Sequence, residues 1–245
     1  MSEQPAGFQD ALRPEYDPKV LDAARRTRLA RRLHRALCEA GLWPPRGRLL
    51  DVGAGSGLLL AALGEDVALR VGCDLRRELF RRAHPHALPF PFAQADGSRL
   101  PFPDGYFNLL ICRAAIEEFP DWRAALGDMA RCVAPGGGLY VTLTNGKLLL
   151  PLYAFARRVG VSVPASWQAY ARNSAPLAGE HPERGFDLPA LRGWQFVDLT
   201  PHLIRATSPP LRLVPLPLLG WVARRLSPTF GFAWRRPSAS PEEVG

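Results

Sequence analysis

The chain has 245 residues, of which 47% are hydrophobic and 22% are charged, a composition typical of a globular domain with a sizeable core. Its 22 glycines and 25 prolines are too few for a low-complexity chain. The longest apolar candidate in the C-terminal third, 213–223, is only 11 residues long, whereas about 20 are needed to span a bilayer. The N-terminal segment is polar rather than signal-like. We therefore expect neither a secreted, a transmembrane nor a fibrous protein.

The net charge is +8 and the isoelectric point is about 9.9, with 29 arginines among the 31 basic residues. This balance suits nucleic acid, anionic lipid or an acidic partner, and it does not choose among them. The four cysteines are too widely spaced for a C-x-x-C metal or redox pair, so we predict a reduced, cytoplasmic protein without a metal site. They are Cys38, Cys73, Cys112 and Cys132.

Strand-like and helix-like segments alternate along the first 146 residues. A helix is predicted over 19–40, with one apolar face and one face that carries seven basic residues. Strands are predicted over 48–53, 67–75, 92–96, 106–114 and 138–145. Helices are predicted over 57–64, 76–83 and 121–132. Near-continuous apolar strands separated by helices indicate a parallel sheet covered on both faces, an α/β doubly wound fold.

After residue 146 the pattern loosens. A helix that begins at KLLL is predicted to be interrupted or delayed by Pro151. Two further strands are predicted over 194–200 and 229–236. The insertion between them, 203–226, is apolar, broken by prolines and edged with arginine.

The segment LLDVGAGSGLLL, residues 49–60, predicts a strand, a glycine loop and a helix. Gly53, Gly55 and Gly57 let the backbone turn sharply and approach a ligand, while the helix N-terminus offers free amides to an anion. The spacing is G-x-G-x-G, not the G-x-G-x-x-G of dinucleotide-binding enzymes. Asp51, at the end of the strand, favours a cationic ligand. S-adenosylmethionine, which has an ammonium, a carboxylate and a sulfonium group, fits this combination.

Two more acids follow the next two predicted strands. Asp74 lies 21 residues after Gly53, where a carboxylate can accept both hydroxyls of a ribose. Asp96, with the Gly97 amide, can bind the edge of an adenine. Either aspartate can instead be a helix cap or a turn residue. Polar features at three successive strand ends are harder to obtain by chance than one glycine loop.

Four segments together resemble the successive motifs of class I S-adenosylmethionine-dependent methyltransferases, over about residues 45–146. They are LLDVGAGSG, VGCDL, QADGSRLPFPDGYFNLLICRAAIEEFPD and MARCVAPGGGLYVTLTN. The string LPFPDGYFN resembles the corresponding segment in the subfamily that includes the ubiquinone and menaquinone methyltransferases. The resemblance implies a Rossmann-like, seven-stranded, mostly parallel sheet with an antiparallel last strand and helices on both faces.

By position, the resemblance also implies a set of cofactor-binding residues. They are Asp51, Gly53, Ala54, Gly55, Gly57, Asp74, Leu75, Asp96, Gly97 and Arg113. The chain departs from the family pattern at Glu117-Glu118, where many relatives have Glu-His, and at Asn108, where an aspartate is frequent. We expect one domain over 1–245. It comprises a helical cap (1–45), a cofactor-binding core (46–146), an acceptor-side lid with the last two strands (147–236) and a frayed tail (237–245).

Methyl transfer from a sulfonium is an in-line displacement, so alignment and exclusion of water are the main tasks of the protein. A general base is needed only if the acceptor must lose a proton. The candidates are Tyr16, Glu117 and His181, with Glu118 and His202 as further possibilities. His181 lies in GEHPERGF, interpreted as a lid loop; the alternative is an ordinary surface histidine.

The insertion 203–226 either roofs the core or rests on an anionic membrane surface. Together with the basic face of helix 19–40 and the resembled subfamily, it predicts a small hydrophobic or amphipathic acceptor, lipid-like or quinone-like, with peripheral membrane contact. A methyltransferase acting on RNA is an alternative that the high isoelectric point favours; no added RNA-binding module or stacking surface supports it. A third interpretation is a non-catalytic partner subunit that binds S-adenosylmethionine. No oligomeric state is predicted.

Overall fold

A computed structural model describes residues 23–44, 46–63, 66–83, 90–163, 165–177, 180–206, 215–218 and 226–238. Seven strands form one sheet in the order β3-β2-β1-β4-β5-β7-β6. They are β1 (Arg48–Val52), β2 (Leu69–Asp74), β3 (Phe92–Gln94), β4 (Phe107–Cys112), β5 (Val133–Thr144), β6 (Gln195–Asp198) and β7 (Thr229–Arg235). Neighbours among β1 to β5 are parallel, and β7 is antiparallel to both β5 and β6. The predicted α/β doubly wound sheet with an antiparallel last strand is confirmed.

Helices cover both faces of this sheet. They are α1 (Ala23–Glu39), α2 (Leu58–Ala62), α3 (Arg77–Ala83), α4 (Trp122–Cys132), α5 (Gly146–Arg158), α6 (Ala165–Leu177) and α7 (Thr200–Arg205). Short 3-10 helices span Ile116–Glu118, Pro182–Asp187 and Pro189–Leu191. Successive strand residues pack on opposite faces: Leu49 and Leu109 pack with α1, α2 and α3, whereas Leu50 and Leu110 pack with α4.

The motif LPFPDGYFN is a structural loop. Arg131 of α4 donates hydrogen bonds to the carbonyl oxygens of Leu100 (3.0 Å) and Phe102 (2.7 Å). Its guanidinium also pairs with Asp104 at 2.6 Å. The most family-specific string in the sequence therefore ties α4 to the strand β4 that precedes it.

The structure corrects the sequence prediction after residue 146. The predicted interruption at Pro151 is wrong, because α5 runs through this residue. Pro151 lies on the exposed side of α5, where water can satisfy the carbonyl that loses its amide partner. Helix α6 was not predicted at all. The strand predicted over 194–200 ends at Asp198, whose carboxylate accepts a hydrogen bond from Thr200 N at 3.0 Å and starts α7.

Several predicted features lie outside the described residues. They include Tyr16, residues 19–22 of the predicted first helix, most of the insertion (207–214 and 219–225) and the tail from 239 onward. In the ranges that are described, no helix combines the length and the apolar character needed to cross a bilayer.

Candidate active site

The glycine loop between β1 and α2 is fixed against the end of β2. The amides of Gly53 and Ala54 both donate to the carbonyl oxygen of Cys73, at 2.8 and 3.0 Å. All three glycines of the motif have positive φ angles: 74° at Gly53, 54° at Gly55 and 69° at Gly57. Side chains disfavour this region of backbone space. The backbone conformation of the turn therefore requires glycine at these three positions.

Close packing adds a second requirement at two of these glycines. A Cβ atom on Gly53 would clash with Ala115, and one on Gly57 would clash with the Phe80 ring. At Gly55, by contrast, no atom lies within 4 Å of the Cβ position. Gly55 therefore has open space on its Cβ side, where a ligand could approach the backbone closely.

Asp74, at the end of β2, binds this loop. The Gly55 amide donates to its Oδ2 atom and the Arg76 amide donates to its Oδ1 atom, both at 2.8 Å. The following residue, Leu75, is 51% exposed although it is a large apolar side chain. A carboxylate beside an exposed leucine fits a ribose, the part of the cofactor that the family resemblance assigns to Asp74 and Leu75.

Asp51, at the end of β1, is buried. Only 3% of its surface is exposed, and this burial raises the pKa of its carboxyl group from 3.8 to about 7. The Asp74 charge raises the pKa further, whereas the Arg113 charge lowers it. Burying a carboxylate is costly unless a cation accompanies it. Asp51 is thus suited to a ligand that brings a positive charge.

Asp96 lies two residues beyond the end of β3, which stops at Gln94. Its Oδ1 atom accepts hydrogen bonds from the amide and the hydroxyl group of Ser98, at 2.9 and 2.8 Å. Asp96 is therefore the turn residue of the alternative interpretation, and it is exposed. Next to it Gly97 is buried; a Cβ atom there would lie 2.8 Å from the Phe119 ring. A role of either residue in adenine binding stays a prediction.

The backbone after β4 is strained. Arg113 is half-buried, and its charge lowers the pKa of both Asp51 and Tyr140. Ala114 has a φ angle of 50°, which is unusual for a residue with a side chain. Its amide donates to Thr142 Oγ1 at 2.8 Å, and Thr142 is buried on β5. The hydrogen bond from β5 therefore holds this turn in place.

Glu117 lies just beyond this turn, in the 3-10 helix. It is 6% exposed, and its Oε1 atom accepts a hydrogen bond from Thr144 Oγ1 at 2.8 Å. Its Oε2 atom is buried and has no hydrogen-bond partner. Burial raises the pKa of this carboxyl group above its usual value. An oriented carboxylate with one unused oxygen is suited to accept a proton from a ligand.

The neighbouring Glu118 connects the two sides of this sheet edge. Arg76 follows β2, and its Nη2 atom pairs with Glu118 Oε2 at 3.3 Å. Both side chains are partly exposed. The ion pair therefore links the segments after β2 and after β4.

The other candidate bases are placed differently. His181 is exposed, and its Nδ1 atom pairs with Glu183 Oε1 at 3.0 Å. His202 pairs with Glu39 at 3.3 Å and so connects α7 to α1. No hydrogen bond links either histidine to Glu117. Of the three principal candidates, the structure brings Glu117 alone among the described residues into this site.

Sequence analysis missed Arg76, Thr142 and Thr144. The two threonines did carry a signal, since they stand two residues apart on one face of the otherwise apolar strand β5. Arg76 carried none. Among the described residues, no group of three His, Cys, Asp or Glu side chains could hold a metal ion.

The residues present fit S-adenosylmethionine. The bare Gly55 accommodates close approach, buried Asp51 suits a cationic group, and Asp74 faces the loop with its carboxylate. All three lie at the carboxyl ends of adjacent parallel strands, the edge at which doubly wound sheets bind their ligands.

Comparison with known proteins agrees with this geometry. Residues 50–141 match the family described as "Methyltransferase domain". The demethylmenaquinone methyltransferase of Thermus thermophilus is 37% identical over 100 residues, which are 38% of this chain and 46% of that protein. The ubiquinone biosynthesis O-methyltransferase of Ralstonia nicotianae is 30% identical over 165 residues, covering 62% of this chain and 68% of that protein.

A likeness in structure extends beyond the matched sequence. The plantazolicin methyltransferase BpumL, solved in complex with S-adenosylhomocysteine, superposes with a TM-score of 0.62 at 10% identity. The alignment covers 94% of this chain and 91% of that one, and at this identity it shows the fold alone. Sequence similarity to the demethylmenaquinone methyltransferase spans less than half of that protein's length.

Proposed function

Because this chain belongs to the S-adenosylmethionine-dependent methyltransferases, we propose that it transfers a methyl group to a small hydrophobic or amphipathic acceptor of lipid or quinone type. The observation that carries the proposal is the edge formed by β1, β2 and β4, with bare Gly55, buried Asp51 and the Asp74 carboxylate. Bound there, S-adenosylmethionine supplies an activated methyl group. The acceptor class is suggested by the relatives named above, which are a demethylmenaquinone and a ubiquinone methyltransferase.

Each cofactor-binding residue has a distinct proposed task. Asp51 balances the positive charge of the methionine part, and the free amides at the N-terminus of α2 bind its carboxylate. Asp74 accepts the ribose hydroxyls, with Leu75 against the ribose. Gly53, Ala54 and Gly57 shape the loop, Arg113 lies beside Asp51, and Asp96 with Gly97 lines the adenine end.

Glu117 is the proposed general base. Thr144 orients its Oε1 atom and leaves the buried Oε2 atom to accept the proton that a hydroxyl or ring-carbon acceptor loses. A raised pKa makes this carboxylate a stronger base than an exposed glutamate. His181 is not chosen, because its ring is exposed and paired with Glu183.

The same chain is proposed to act as one domain at an anionic membrane surface. Helix α1 packs into the core through Leu33 and Leu37 while Arg28, Arg31 and Arg35 are exposed. Exposed cations contribute about 1 kcal/mol each near an anionic leaflet. The side chain of Arg235, on β7, donates to the carbonyl oxygens after α1, which ties the helical cap to the sheet.

Radiolabelled methyl transfer tests the proposal. Purified protein with labelled S-adenosylmethionine is incubated separately with a total lipid extract, a water-soluble metabolite extract and total RNA. We expect label in the lipid fraction, reduced at least about tenfold by Glu117→Gln with unchanged cofactor affinity, and loss of the acidic limb of the pH–rate profile. Label in RNA alone would establish the RNA methyltransferase alternative, and cofactor binding without transfer to any fraction would favour the non-catalytic subunit.

A further inference from the structure

Helix α5 exposes an apolar stripe. Leu152, Phe155 and Val159 are 54%, 62% and 59% exposed, although they are large apolar side chains. At about 100° per residue, they fall within an arc of about 60° on one side of the helix. Just beyond the helix, Val161 is 55% exposed as well. We call Leu152, Phe155 and Val159 the α5 stripe.

The helix that carries this stripe forms the outer layer above the candidate site. It begins directly after β5, where Asn145 caps it by accepting a hydrogen bond from Leu148 N at 3.2 Å. Its first residue, Gly146, approaches the backbone of α6 so closely that a Cβ atom would clash with Ala171. Helix α6 in turn packs on β5 and on the 3-10 helix that contains Glu117. The α5 stripe thus faces away from α6.

Along the chain on either side of the stripe, the charged residues are all of one sign. Between Asp128 and Glu180 the sequence contains no aspartate or glutamate. It does contain five basic residues, namely Arg131, Lys147, Arg157, Arg158 and Arg172. Lys147 and Arg158 are exposed and flank the α5 stripe on one side, about 60–80° around the helix from Phe155. An exposed apolar stripe beside cations is typical of helices that lie in a membrane interface.

The charges distinguish between possible occupants of this surface. A second copy of the chain, docked stripe to stripe, would bring Lys147 and Arg158 close to their counterparts without an acid from α5 or α6 to pair with them. An anionic lipid surface offers both the apolar layer and the opposite charge. Long basic side chains can reach headgroups while the apolar residues enter the acyl boundary.

We propose that the α5 stripe inserts into the interface of an anionic lipid bilayer and sets the candidate site against the membrane. This inference rests on the proposed function, because a hydrophobic acceptor would then reach Glu117 from the lipid side of α5 and α6. It assigns membrane contact to α5, whereas the sequence pointed to the insertion 203–226.

Vesicle co-sedimentation of the full chain tests the assignment. The vesicles contain phosphatidylcholine, either alone or with about one third phosphatidylglycerol, at low and high salt. We expect binding to the anionic vesicles only, weakened by salt. The double variant Leu152→Glu/Phe155→Glu should lower the partition coefficient at least about tenfold. The matched control Leu226→Glu changes an equally exposed leucine of the insertion and should lower it less than about twofold.

Hydrogen exchange gives a second measurement that does not depend on variants. Amides of α5 should exchange more slowly when anionic vesicles are added, while those of α4 should not change. The assignment would be overturned if Leu226→Glu lost vesicle binding while the stripe variant kept it. It would also be overturned if the protein stayed in the soluble fraction with every lipid mixture. A dimer that dissociates in the stripe variant, without vesicle binding, would identify a second copy as the occupant and also overturn it.

Calorimetric titration with S-adenosylmethionine, without vesicles, separates the two proposals. Cofactor binding without vesicle binding would reject the α5 assignment alone. Vesicle binding without cofactor binding would support the α5 assignment and reject the proposed function.

Discussion

At the scale of single residues, the burial of Asp51 raises its pKa and makes it suited to a positively charged ligand. Its burial is unfavourable for the ionised form, which is why its pKa rises from 3.8 to about 7. A rise of about three pKa units corresponds to about 4 kcal/mol between the two protonation states. A cation bound beside Asp51 would offset this cost by favouring the carboxylate.

Cofactor affinity should therefore depend on pH through Asp51. Below about pH 7 the carboxyl group is protonated in the unliganded protein, so binding a cation must release a proton and affinity should fall as pH falls. Calorimetry in two buffers of different ionisation enthalpy measures this proton release. Asp51→Asn should bind at least about tenfold more weakly at pH 8, where the wild-type carboxyl group is mostly ionised, and should release fewer protons than the wild type at about pH 6. An identical proton release in the variant would contradict the role of Asp51.

The free energy of unfolding depends on pH in the opposite direction from cofactor affinity, because protonated Asp51 favours the folded state. The folded state keeps its proton on Asp51 up to about pH 7, whereas an unfolded aspartate, with a pKa of 3.8, loses it near that pH. The contribution of Asp51 to the free energy of unfolding is thus fully present below pH 3.8 and is lost as pH rises to about 7.

The glycines of the loop should respond differently to the same substitution. Gly55→Ala places a side chain at positive φ with open space around it, so it should cost about 1 kcal/mol of stability while weakening cofactor binding at least about tenfold. Gly53→Ala adds a clash with Ala115 and should cost about 2–5 kcal/mol. Urea unfolding and calorimetry measure the two effects. Equal stability losses, or unchanged affinity in Gly55→Ala, would show that Gly55 is not the point of approach.

At the scale of elements, the junction between β5 and α5 depends on one side chain. Asn145 is buried, caps α5 through Leu148 N, and donates from Nδ2 to the Ser227 carbonyl oxygen at 2.9 Å. It therefore joins the start of α5 to the segment before β7. This bond joins residues 82 positions apart in the chain, and the backbone amide of Asn145 adds a second one by donating to the Pro228 carbonyl oxygen at 2.8 Å.

Asn145→Ala should lower the free energy of unfolding by about 2–3 kcal/mol, because it removes a cap and leaves a buried carbonyl without a donor. Asn145→Ser is the matched control: its hydroxyl group keeps a neutral capping oxygen, and the variant loses the hydrogen bond from Nδ2 to Ser227. Chemical denaturation should rank the proteins as wild type, Asn145→Ser, then Asn145→Ala. If Asn145→Ala lost less than about 0.5 kcal/mol, the junction would not depend on this side chain.

How far the sequence predicts an element depends on what stabilises it. Strands β1, β2 and β4 were found within two residues of their bounds, because buried apolar runs followed by Gly or Asp are local signals. Helix α6 was missed, since its packing against β5 and the Glu117 turn is a tertiary contact. The start of β5 at Val133, before the predicted strand 138–145, was also missed, because the pairing of Val133 with Phe107 across a register shift is a contact with β4.

The residues of the site likewise divide into those with a local sequence signal and those that depend on a tertiary contact. Asp51, Asp74 and the glycines could be predicted because each stands at the end of a readable strand. The pairing of Glu117 with Thr144 could not, since it joins residues 27 positions apart across two strands. The hydrogen bonds of Asp96 to Ser98 form a local turn, and its role in adenine binding stays a prediction.

At the scale of the whole molecule, the candidate site draws on segments that are distant in the chain, after β1, β2 and β4. A ligand that contacts all of them should stabilise the entire fold. S-adenosylmethionine at about 100 times its dissociation constant should add about 2.7 kcal/mol. For a chain of this size, the melting temperature should rise by about 5–10 °C. A thermal scan with NAD as the control ligand should show no rise, and equal shifts with both would indicate non-specific binding.

The place of β7 has a consequence for the order in which the sheet can be completed. It lies between β5 and β6, and among the described residues it is the one strand with which β6 pairs. As the chain leaves the ribosome, β1, β2 and β4 can therefore assemble first, while residues 195–198 must wait for 229–235. The cofactor edge would thus form while the other edge of the sheet is still open. A chain released before residue 229 would expose the unpaired edges of both β5 and β6 to other chains and to proteases.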